Sequence, residues 1–130
     1  MDSELTGIAQ EALAQTGSAS AVIFFVDAAG NLELAGVAGL DGAPLGNLIE
    51  AVKAPNHPIA RSSRDGHTEF DVAPINPGGP ALRSHVPLVA ADRSGRTVGV
   101  LALAHQAPLT SDQRRSAQAL ADRAARATKA

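Results

Sequence analysis

The sequence predicts an α+β fold. It places one antiparallel β-sheet at the centre, the N- and C-terminal helices on one face, and an irregular helical and loop insertion, about 38–80, over the other. Three observations predict it. Residues 21–26 (AVIFFV) form an unbroken apolar run of β-formers, which needs cover on both sides. Amphipathic helical patterns of any length stand at the two ends of the chain. The segment between is broken by Gly and Pro too often for long elements, yet is too long to be an idle connection.

Leu5, Ile8, Ala9, Ala12 and Leu13 repeat at helical spacing, with Ser3 placed to cap the helix and Gly17 to end it. Asp27-Ala28-Ala29-Gly30-Asn31 is turn chemistry, and residues 32–37 alternate as the partner strand of a hairpin. In the insertion, short helices fit at Leu45–Lys53, with Leu45, Leu48, Ile49 and Val52 on one side, and at Ile59–Arg64. A strand-like piece at His67–Val72 places Phe70 and Val72 on one face. Asn76-Pro77-Gly78-Gly79-Pro80 reads as an exposed loop. Residues 83–90 and 97–104 then form a second hairpin about Ser94-Gly95, with Pro87 where no ladder donor is required. Thr110 and Gln113 fit a capping box that opens the last helix. Its stripe of Ala117, Leu120, Ala121, Ala124 and Ala125 favours close helix contact, within a subunit or across a dimer.

Composition narrows the function. At 130 residues the chain suits a single domain spanning 1–130. It is 45 % apolar, but 27 residues are Ala and only 3 are aromatic, so the core is aliphatic with room left in it. With no Cys there are no disulfides, thiol nucleophiles or thiolate metal sites. A net charge of −2 without aromatic platforms argues against nucleic acid and acidic membranes. The acidic, polar start MDSELTGIAQ is unlike a secretion signal, and no apolar run is long enough to span a bilayer, so a cytoplasmic protein is expected.

The order of elements resembles the GAF domain family over nearly the whole length. The resemblance is carried by Ala21-Val22-Ile23-Phe24-Phe25-Val26-Asp27 with Gly30, Pro58-Ile59-Ala60-Arg61 leading to Gly66, and His85-Val86-Pro87-Leu88. It continues through Val98-Gly99-Val100-Leu101-Ala102-Leu103 and Leu109-Thr110-Ser111-Asp112-Gln113. It implies a sensor domain of bacterial signalling that binds a small molecule between sheet and insertion and often dimerises through its terminal helices. A PAS-like or profilin-like sheet is the runner-up. Departures from the family also matter. Lacking Cys, the chain matches neither members that reduce free methionine sulfoxide nor those that attach bilin covalently. The Asn-Lys…Phe…Asp-Glu pattern of cyclic-nucleotide-binding members is missing as well, Lys occurring only at 53 and 129.

The residues expected to line a ligand site are Phe24, Val37, His57, Ile59 and Arg61. Phe70, Ser84, His85 and Ala102 complete the set. His57, on the insertion, is the candidate axial ligand if haem binds, against the plainer reading of a solvated loop histidine. Ser84 and His85 point to opposite faces of a strand, so one of them should meet the insertion, and they cannot form a nucleophile–base pair with each other. Arg61, Arg64 and Arg83 suit an anion, against a solvated face balanced by Asp65, Glu69 and Asp71. No carboxylate pair, metal cluster or phosphate-cradling loop stands out, so no enzyme and no metal site is expected. Two readings follow. One is a small-molecule sensor with output through the terminal helices or a partner protein. The other is a non-catalytic dimerisation or docking module with a filled pocket.

Overall fold

A computed structural model describes residues 3–72, 82–90 and 94–127. The loop expected at 76–80 lies outside the described residues. Helix α1 (Ser3–Thr16) leads into β1 (Ser20–Val26) and β2 (Leu32–Ala38); α2 (Gly42–Ala51), α3 (Pro58–Asp65) and the short β3 (Glu69–Val72) follow. Strands β4 (Leu82–Val89) and β5 (Thr97–His105) and helix α4 (Ser111–Ala127) complete the chain. The five strands lie in the order β2-β1-β5-β4-β3, every neighbouring pair antiparallel. Among the described residues no helix is long and apolar enough to cross a membrane.

The apolar run of β1 is central, as an all-apolar strand must be: both its neighbours are strands and both its faces are covered. Its side chains divide by alternation. Ala21 and Ile23 join Leu5, Ile8, Leu101, Leu103, Leu120 and the Ala stripe of α4 under the terminal helices. Val22 and Phe24 join Val52, Ile59, Val100 and Ala102 under the insertion. The sheet therefore separates two cores.

The helix-side core is close-packed. Helix α1 approaches β2 so nearly that a Cβ at Gly36 would lie 2.6 Å from the Leu5 carbonyl carbon. Ala117, Ala121, Ala124 and Ala125 of α4 are buried within the subunit, where their small side chains let α1 and α4 meet. Ser3 is the first described helical residue instead of a residue before the helix. Gly17 ends α1 at φ 66°, donating its N–H to Leu13 O (3.0 Å). The expected capping box of α4 is formed: Thr110 N–H donates to Gln113 Oε1 (2.8 Å) and Gln113 N–H to Thr110 Oγ1 (3.1 Å).

The insertion side is looser. No residue of α2 is buried, and its helix begins at Gly42, earlier than the expected Leu45, because Asp41 holds the extended conformation of an N-cap. Helix α3 is anchored by Ile59, which is fully buried. The tight turn between β1 and β2 is held by Asp27, whose Oδ1 accepts the N–H groups of Ala29 and Asn31 (2.9 Å each). Pro87 is tolerated on an inner strand because β3 stops pairing at His85, so no neighbour on that edge needs its missing N–H.

Two expectations about faces are corrected. A bulge in β3 between Glu69 and Val72 carries Asp71 at φ 59°, a conformation Asp accepts more readily than most residues. The bulge turns Phe70 onto the helix-side core, where the Arg114 guanidinium lies 4.8 Å from its ring centroid. Phe70 is thereby removed from the insertion side. Ser84 is also on the helix side, hydrogen-bonded to His105.

Candidate functional site

Strand β4 presents its odd and even residues to different chemistry. Ser84 faces the helices and sits in a satisfied polar cluster. Ala107 O accepts from His105 Nδ1 (2.8 Å), so Nε2 of that ring is free to accept the Ser84 hydroxyl (2.8 Å). Ser84 Oγ in turn accepts the Asp71 N–H (3.1 Å). The Asp71 carboxylate receives Leu109 N–H on Oδ1 (2.9 Å) and Arg114 Nη2 on Oδ2 (2.6 Å). Burial works to raise the Asp71 pKa, but these two donors outweigh it and hold the carboxyl below its ordinary range. The geometry of Ser84 and His105 resembles a nucleophile–base pair, and sequence reasoning, which considered only adjacent residues, missed it. Both side chains are buried, however, and Ser84 Oγ is engaged by a backbone amide. The cluster fastens the β3 bulge to the start of α4.

Arg83 and His85 project to the insertion side. The strand register sets His85 opposite Ala102 on β5 and Glu69 on β3. His85 is buried; its Nδ1 lies 3.5 Å from Glu69 Oε1, and its Nε2 has no hydrogen-bond partner among the described residues. Burial lowers the His85 pKa, and the nearby positive charge of Arg83 adds to this, against the opposing pull of Glu69. Arg83 Nε is likewise buried without a partner among the described residues. Among the described residues no carboxylate pairs with this guanidinium; burial pulls its pKa down from the usual value, yet an arginine remains a cation.

Beside Arg83 a cavity of about 360 Å³ opens between the sheet and α2. Its floor is Val22, Ala102 and Ala104, its roof Pro44, Leu48 and Ala51, and its polar groups include Ser20, Asn47, His57 and Arg83. The volume and the mostly apolar lining with a few polar groups are those of a small-molecule site. His57 is held by its own helix: as N-cap of α3 it accepts the Ile59 N–H on Nδ1 (3.2 Å), which leaves Nε2–H as its remaining donor. Burial, then the charges of Arg83 and Arg61, lower the His57 pKa, so the ring is neutral at pH 7.

Of the residues expected to line the site, His57 and Ala102 do so. Phe24, Val37 and Ile59 share that face of the sheet but are spent in its core. His85 lies on the same face, next to Arg83 along the strand, outside the cavity wall. Arg61 opens onto a separate shallow groove with Ser62, Asp65, His67 and Glu69. Ser84 and Phe70 are on the opposite face. Asn47 and Ser20 were not anticipated, and Arg83 was named only with Arg61 and Arg64 as suited to an anion, not as a lining residue. For Arg83 a signal existed, because strand alternation places it on the face of His85. Among the described residues no group of three or more His, Cys, Asp or Glu could hold a metal ion.

Comparison with known proteins accords with this architecture. The family model described as "GAF domain" matches residues 1–128. The second GAF domain of DevS from Mycobacterium smegmatis superposes with a TM-score of 0.69 at 26 % identity, covering 95 % of this chain and 88 % of that one. The GAF domain region of a Geobacter sulfurreducens protein gives 0.73 at 16 % identity over 95 % and 89 %. The type II free methionine-R-sulfoxide reductase of Thermoplasma acidophilum gives 0.73 at 12 % over 95 % and 89 %, a likeness of fold alone. No curated protein sequence matches the chain.

Proposed function

The chain belongs to the GAF domain family, whose members are regulatory and sensory domains of signalling proteins, and on that premise we propose that it senses a small molecule in the cavity beneath α2. One observation carries this reading: the cavity is bounded on one side by the rigid sheet and on the other by a helix with no buried residue. A ligand that fits one placement of α2 better than another shifts the population toward it, which is all that sensing requires. Output runs through the terminal helices α1 and α4, to a second copy or a partner protein in the cytoplasm, and the role is regulatory, not catalytic. The test is a thermal-shift screen of nucleotides, amino acids, organic anions and haem, with native mass spectrometry of the purified chain. A stabilising ligand whose effect disappears in Ala51→Phe, which puts a ring into the roof, supports the reading. If no compound stabilises the chain and nothing co-purifies, the reading is wrong.

A further inference from the structure

Among the described residues, cavities on or beside the insertion include three whose polar groups differ in one respect. The largest, about 520 Å³, has Lys53 and Arg64 in its wall. Lys53 is paired with Glu50 at 3.0 Å, and Arg64 is engaged by Asp65 and donates to Pro55 O. The shallow groove at Arg61 carries its own acids, Asp65 and Glu69. Only in the cavity beneath α2 does a described cation face the space without a described acid beside it. There Arg83 has a buried Nε with no partner among the described residues. A buried donor left unmade is costly, and a guanidinium without a counter-charge more so, unless something from outside supplies the acceptor.

We propose that the cavity beneath α2 takes a small organic monoanion, a carboxylate on a short apolar body, with the Arg83 guanidinium as its anchor and His57 Nε2–H as a neutral second donor. This rests on the sensory reading above and names the class of ligand. Three features select the class. The planar fork of a guanidinium matches the two oxygens of a carboxylate. The rest of the wall is largely aliphatic, from Val22, Leu40, Leu48 and Ala104, which suits a hydrocarbon body and offers little to a sugar or a polyphosphate. The charge available is one: Arg83 is a cation, whereas His57 is neutral, flanked by Arg83 and Arg61 and with Nδ1 committed to Ile59 N–H. A phosphate dianion would keep one charge uncompensated in a half-buried site.

The experiment is calorimetric titration of the chain with 4-methylpentanoate, its neutral isostere 4-methylpentanamide, and isobutyl phosphate. The carboxylate is expected to bind at least about tenfold tighter than the amide and than the phosphate, because the amide cannot satisfy a cationic fork. Arg83→Met, which keeps the length and apolar stem, should abolish that preference while leaving the unliganded melting temperature and far-UV dichroism unchanged or slightly improved. His57→Asn keeps an N-cap and loses the Nε2–H, and should weaken the carboxylate a few-fold. If carboxylate and amide bind alike and Arg83→Met changes nothing, the anion assignment is wrong while the sensory cavity stands. If the phosphate binds best, the ligand is a phosphate ester and the monoanion argument is wrong. If none of the three binds, the carboxylate assignment is overturned, while the sensory reading is decided separately by the wider thermal-shift screen and by what co-purifies.

Discussion

The two faces of strand β4 are one residue apart in sequence and opposite in character. On the helix side, Ser84, His105, Asp71 and Arg114 form a chain in which the serine, the histidine and the aspartate each have partners, beneath a core so tight that Gly36 has no room for a methyl group. On the insertion side, Arg83 and His85 each keep a buried nitrogen unpaired among the described residues, and Arg83 borders open space under a helix with no buried residue. Similar polar residues thus hold structure where their bonds are closed and mark a binding place where they are open.

The difference should show first in stability. Gly36→Ala drives a Cβ into the Leu5 backbone and should cost about 2–3 kcal/mol, since main chain cannot step aside as a flexible side chain would. Chemical denaturation reads this as a lowered midpoint with unchanged slope. Asp71→Ala removes the acceptor of Leu109 N–H and Arg114 together and should cost about 1–3 kcal/mol by the same measurement. Arg83→Met, on the other face, should change stability by less than about 0.5 kcal/mol or raise it, because it deletes a donor that was unsatisfied. Equal losses for Asp71→Ala and Arg83→Met would erase the contrast between the faces.

The pH dependence has a definite sign. His57 and His85 have folded pKa values below the ordinary histidine value, so the unfolded chain takes up protons first as pH falls through about 6.5. Stability is unaffected by these groups at pH 7 to 8 and declines below about 6.5. Asp71, depressed in the folded state, adds a further decline once pH reaches the carboxylate range. A melting temperature that rises between pH 7 and 5.5 would contradict this account. His57→Asn should flatten the upper part of the decline, the smallest of these effects.

Periodicity made the scaffold legible. The run at 21–26 required a central strand, the capping box at Thr110 was formed as read, and the insertion covers the face it had to cover. Alternation also placed one member of the pair Ser84 and His85 toward the insertion; the register identifies it as His85. What alternation could not supply was the bulge at Asp71. One extra residue turned Phe70 to the other face, and an aspartate at positive φ leaves no glycine to announce it. Ser84 and His105 are 21 residues apart on neighbouring strands, and their pairing needs the register, which local pattern does not carry. The anion reading of Arg83 was set against a solvated face balanced by Asp65, Glu69 and Asp71. In the fold, Asp65 goes to Arg64 and Asp71 to Arg114, and Arg83 keeps none of them.

The central claim is that the open cation on the insertion side is where a ligand binds. The most direct measurement is the arginine Nε–Hε region of a nitrogen–proton NMR spectrum during titration with 4-methylpentanoate, the Arg83 signal being assigned by its loss in Arg83→Met. A saturable downfield movement of that one signal, with those of Arg61 and Arg64 unmoved, is the predicted result. An unmoved Arg83 signal while the carboxylate binds, or movement at Arg61 in its place, would contradict it.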